Sequence, residues 1–223
     1  MSSPYSYLPL VERFGADCIR LCRLLPSEDP NAIIECRLFN YYLPHEDVDT
    51  HLYEALSYVW GAKEKDQPIL VDGKTLSIRE NLHLALSRLR NRHLDRVLWI
   101  DAICINQEDL DERASQIRYM AIIYGKAKCV NVWLGDSTGG ADLALEQIDL
   151  AADSSRAVIP MYAKLRDGLD ELFNKEWFLR IWVSVTPVRK DVADCVAGSS
   201  RSCCCPTHHH YVWDFENKWR RIL

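Results

Sequence analysis

Val97-Leu98-Trp99-Ile100-Asp101-Ala102-Ile103-Cys104-Ile105-Asn106-Gln107 is the stretch on which the reading of this chain turns. Its first four residues are wholly apolar and end abruptly in the carboxylate of Asp101. Such a run suits a central parallel strand buried on both faces. In open α/β sheets, ligands bind just past the carboxyl ends of strands. The residues that follow are dense in hydrogen-bonding groups, among them Asn106, Gln107, Glu112, Arg113 and Gln116.

Downstream, Asp109 and Glu112 form an Asp-x-x-Glu start signal for a helix. Leu110, Ala114, Ile117, Ala121 and Tyr124 then fall on one stripe, predicted to face the core, with Gly125 as the C-terminal cap. Asp109, Glu112, Arg113 and Gln116 share the opposite, polar stripe. Val130 to Leu134 is the next strand. Strand, crossover helix and strand make a βαβ unit, so the predicted class is α/β.

Three further hairpin or strand signals flank this unit. Cys18 to Leu24 and Ile34 to Phe39 alternate apolar and charged residues around the turn formers Pro26 to Asn31, which predicts an N-terminal β-hairpin of half-exposed strands. Asp72-Gly73 between β-formers predicts a second hairpin. Ser77 and Glu80 have capping-box spacing, and Leu82, Ala85, Leu86 and Leu89 follow at helical spacing. Tyr53 to Gly61 is another buried strand, whose Ser57 and Trp60 either face a ligand or simply belong to the core.

Bulk properties narrow the classes. The chain has 223 residues, 48% hydrophobic and 26% charged, with a net charge of -5. That is ordinary globular composition, with no global basic field to attract nucleic acid. No run approaches the roughly 20 apolar residues of a membrane span, and the N-terminus lacks signal-peptide character. The expected compartment is the cytoplasm. Nine cysteines, an odd and irregularly spaced set, are expected to be reduced thiols. The Cys203 to His210 cluster lacks zinc-site spacing, and Cys104 has only apolar neighbours, so neither a metal site nor a cysteine nucleophile is predicted.

Three segments together resemble the fungal heterokaryon-incompatibility (HET) domain. They are Tyr53-Glu54-Ala55-Leu56-Ser57-Tyr58-Val59-Trp60-Gly61, then Leu98 to Gln107 with Glu112-Arg113, Gln116 and Trp133-Leu134-Gly135 in matching order, and finally Trp177-Phe178-Leu179-Arg180-Ile181-Trp182-Val183. The likeness divides the chain into a lead-in and hairpin (1–51), a HET-like domain (52–183) and an atypical tail (184–223). In the tail, Ser184-Val185-Thr186-Pro187 replaces the family's Val-Gln-Glu, as expected of a truncated member or a misread gene.

The resemblance implies an effector of fungal nonself recognition and programmed cell death. Through a distant kinship to TIR domains it also implies a flavodoxin-like, mostly parallel sheet flanked by helices. Some TIR domains cleave NAD beside a glutamate, so by analogy Glu112 and Asp101 are candidate catalytic carboxylates, with NAD as substrate rather than resident cofactor. Ser57, Trp60, Asn106, Arg113 and Gln116 are the candidate nucleotide contacts. The alternatives are a non-enzymatic domain acting through protein partners or self-association, and an inactive truncated member.

Overall fold

Cys18-Ile19-Arg20-Leu21-Cys22 carries apolar side chains on both parities of a strand, and β1 (Cys18–Leu24) is buried along nearly its whole length, with only Arg23 exposed. The computed structural model describes residues 3–10, 18–43, 52–136, 139–145, 162–179, 211–214 and 218–221. The chain forms two units, Met1–Val130 and Asn131–Leu223.

In the first unit, β1 pairs antiparallel with β2 (Glu35–Tyr42), which is the predicted hairpin. The other strands are β3 (Glu54–Tyr58), β4 (Gln67–Val71), β5 (Lys74–Ile78) and β6 (Arg96–Trp99), in the order β5-β4-β2-β1-β6-β3. Asp72 and Gly73 join β4 to β5 with φ of 50° and 75°, the left-handed conformations of a tight hairpin turn.

The expected mostly parallel, flavodoxin-like sheet is corrected here: this sheet is mixed. β1–β2, β1–β6 and β4–β5 are antiparallel, whereas β2–β4 and β3–β6 are parallel. The reason is the placement of the N-terminal hairpin. Instead of decorating an edge, β1 lies between β2 and β6, so its Ile19 and Leu21 are fully buried.

Three helices position the residues of interest. α1 (Glu80–Leu89) buries Leu82, Ala85, Leu86 and Leu89, as their spacing predicts. Its predicted cap is not used: Ser77 pairs with Pro68 inside β5, and the helix begins after Arg79 without a side-chain cap. A short α2 (Asp101–Cys104) follows β6, and α3 (Leu110–Lys126) follows that. Asp109 does cap α3, accepting from the backbone N–H groups of Asp111 and Glu112. Gly125 is not the C-cap; the helix runs through it to Lys126.

α3 is rotated from the predicted orientation: of the expected core stripe only Tyr124 turns inward, and of the polar stripe Asp109 and Arg113 stay exposed. Leu110 and Ile117 are 65% and 53% exposed, and Ala114 and Ala121 are exposed beside them. Gln116, Ile123 and Ala127 face the core instead. Polar residues on the inward face find partners there: Gln116 Nε2 donates to the Cys18 carbonyl at 3.1 Å. Along the helix, the Tyr124 hydroxyl donates to Leu56 O at 3.1 Å, and the Tyr53 hydroxyl donates to Ile123 O at 2.7 Å. The Gln116 Oε1 finds no partner among the described residues, while the aromatic bodies of Tyr53 and Tyr124 add burial. The Trp99 and Tyr124 rings meet edge to face with centres 5.4 Å apart.

β7 (Cys129–Trp133) leads into the second unit. There, residues 140–145 are helical and α4 spans Tyr162–Phe173. Gly140 and Gly168 let these two helices touch, because a Cβ on Gly168 would overlap the Gly140 carbonyl. A 3-10 turn, Glu176–Leu179, buries Trp177 and Phe178, whose rings pack edge to face at 5.0 Å. β8 (Tyr211–Asp214) and β9 (Lys218–Arg221) pair antiparallel. Arg180 to Val183 and the Cys203 to His210 cluster lie outside the described residues.

Candidate functional site

Parallel pairing of β3 with β6 sets Glu54 against Leu98 and Ala55 against Trp99, so both strands run toward the same end of the sheet. Trp60 and Asp101 lie just past those carboxyl ends. The indole Nε1 of Trp60 donates to Asp101 Oδ2 at 2.9 Å, while Asp101 Oδ1 accepts the Ala102 N–H at 2.7 Å. Burial, reinforced by the charge of Asp101 and a hydrogen bond to it, pushes the Tyr58 hydroxyl well above its ordinary pKa of 10.0.

The other side of this crest is basic. The Arg79 guanidinium lies 4.8 Å from the Trp60 ring centre, a cation–π distance, and donates to the Gly61 carbonyl at 3.3 Å. Gly61 has φ of 70°, which re-aims the chain after Trp60, and Asn81 anchors the same turn by donating to Val59 O at 2.5 Å. Gln107 Nε2 donates to the Asp101 carbonyl at 2.8 Å, and Arg113, exposed, reaches Gln107 O at 3.5 Å. Ser57 is buried within β3. The result is a half-buried carboxylate, an aromatic surface and a guanidinium in one place.

Glu112 belongs to a different constellation. Arg20 Nη1 and Nη2 donate to Glu112 Oε1 and Oε2 at 2.5 and 2.9 Å, and the Asn106 N–H donates to Oε1 at 2.7 Å. Arg20 also donates to the carbonyls of Cys104 and Leu8, at 3.2 and 2.5 Å. Its guanidinium sits 5.2 Å from the Tyr7 ring centre, and the Tyr7 hydroxyl donates to Ile103 O at 2.9 Å. The two charged side chains are 4% and 9% exposed. Together these contacts tie β1 and the N-terminal segment to α2 and to the first turn of α3, which in turn holds the loop between those helices. Chemically, it is a bidentate clamp that holds that loop in place.

The seven sequence-predicted residues therefore separate. Trp60 and Asp101 come together on the crest, and Glu112 and Asn106 come together in the clamp. Gln116 is buried against β1, Ser57 is inside β3, and Arg113 is on the surface. Missed in the sequence were Arg20, Arg79 and Tyr58, while Gln107 falls in the polar run but not among the predicted site residues. Arg20 carried a signal: its neighbours Cys18, Ile19, Leu21 and Cys22 are apolar on both strand faces, so the arginine between them has to be buried and paired. Among the described residues, no group of three His, Cys, Asp or Glu side chains is placed to hold a metal ion.

The family model of the heterokaryon incompatibility protein (HET) matches residues 53–185, more than half of the chain. The chain belongs to the HET family. It is similar to heterokaryon incompatibility protein 6, OR allele, of Neurospora crassa, at 38% identity over 109 aligned positions. The match takes in 43% of this chain and 16% of that protein, so the chain spans only a small part of its relative's length. No solved structure matches. The HET match holds the whole crest, together with Glu112, but begins after β1 and β2. Glu112 of the clamp thus lies inside the matched region and its partner Arg20 outside it.

Proposed function

We propose that this HET protein is a cytoplasmic effector of fungal nonself recognition and programmed cell death, and that its crest at Trp60, Asp101 and Arg79 binds a nucleotide-class ligand. The observation carrying this reading is the Trp60–Asp101 hydrogen bond past the ends of two parallel strands, beside the Arg79 guanidinium. A flat aromatic suits a base, a guanidinium suits a phosphate, and a carboxylate suits ribose hydroxyls.

If the ligand is NAD, the TIR analogy supplies a reaction. Water adds to the ribose C1′ as the nicotinamide nitrogen leaves with the bonding electrons, giving ADP-ribose, nicotinamide and a proton. The transition state carries positive charge on the ribose, which a carboxylate stabilises. Asp101 is the better candidate for that role than Glu112, whose charge is already matched by Arg20. Nicotinamide release by the purified protein tests the reading. Turnover that disappears in Trp60→Ala and Asp101→Asn, with folding intact, is the expected result. Toxicity in cells without turnover, unchanged in both variants, would replace it with a purely non-enzymatic signalling role.

A further inference from the structure

α3 presents to solvent the stripe Leu110, Ala114, Ile117 and Ala121, spaced by four, three and four residues. This is the spacing of a coiled-coil seam. We propose that this face pairs antiparallel with the same face of a second copy, about a two-fold axis between Ser115 and Gln116. Such an axis sets Leu110 against Ala121 of the second copy, and Ala114 against Ile117. Each contact thus joins a large side chain to a small one, which lets the helices approach closely.

Charge decides the direction. Asp111 and Arg118, both exposed, flank the stripe on the same side. In antiparallel pairing, residues of that flank face each other, so Asp111 meets Arg118 of the second copy, twice by symmetry. Parallel pairing would instead bring Arg113 toward Arg118, a like-charge contact. The surface of α3 is self-complementary only in the antiparallel sense. One helix of about 25 Å buries less than the roughly 800 Å² per partner of a standard interface, so the pairing is weak and responds to local concentration. The proposal stands apart from the nucleotide reading, because neither Trp60 nor Asp101 lies on this face.

Sedimentation equilibrium of the full chain tests it. Wild type is expected to dimerise weakly, while Asp111→Arg and Arg118→Asp each raise the dissociation constant about tenfold. An equimolar mixture of the two variants is expected to recover wild-type association, since both cross pairs are then complementary. Ile117→Glu abolishes dimerisation, with circular dichroism confirming its fold. Wild type that stays monomeric up to about 1 mM, or a mixture as weak as either variant alone, would overturn the proposal.

Discussion

Arg20 and Glu112 show how one buried pair can look like a catalytic residue in sequence and act as a fastener in structure. Removing one partner strands a charge in a site where both side chains are nearly inaccessible. Glu112→Ala is therefore expected to cost about 3–5 kcal/mol, and Arg20→Ala a similar amount. Replacing both with apolar residues should cost much less than the two losses added, a coupling that urea unfolding of the four proteins would measure. The thiol of Cys104 makes a pH prediction at the same scale. Burial, the largest cause, raises it from 9.0 to about 12. In the unfolded chain the thiol ionises first, so the folded state loses stability as pH rises from about 9 toward 12, by up to about 1.4 kcal/mol per pH unit. Cys104→Ala should flatten that fall; an unchanged alkaline slope in denaturant titrations would contradict the assignment.

At the scale of elements, α3 is the instructive case. Its rotated orientation predicts that Ile123→Ala costs about 2–5 kcal/mol, whereas Ile117→Ala stays within about 0.5 kcal/mol of wild type. Asp109→Ala, which removes the cap, should cost about 1 kcal/mol. Thermal denaturation of the three variants separates these outcomes. The existence of α3 was legible in its capping signal and periodic apolar residues, and so were both hairpins and the buried face of α1. Which side of α3 faces inward was not. Periodicity treats Glu112 and Gln116 as solvent-facing, yet the strand beneath supplies Arg20 and the Cys18 carbonyl as partners. Those partners are nearly a hundred residues away in sequence, and local spacing has no access to them.

For the whole molecule, the same long-range pairing explains why a parallel sheet was expected and a mixed one formed. The strands of the βαβ segment were legible, but the insertion of β1 between β2 and β6 is a non-local choice. It follows that a chain beginning at Leu52, near the start of the family match, should fail to fold, leaving Leu98 and Trp99 without cover; its circular dichroism would report this directly. The candidate site was legible in its carboxylate and indole and obscured in its cation, because Arg79 resembles an ordinary solvated residue beside the helix it precedes. In the proposed function Asp101 serves the ligand, whereas Glu112 serves the fold. Nicotinamide release and melting temperature measured together on Asp101→Asn and Glu112→Gln put the claim to the test. Asp101→Asn should melt near wild type with turnover lost, and Glu112→Gln should melt lower. A Glu112→Gln protein with wild-type melting and no turnover, beside an active Asp101→Asn, would contradict it.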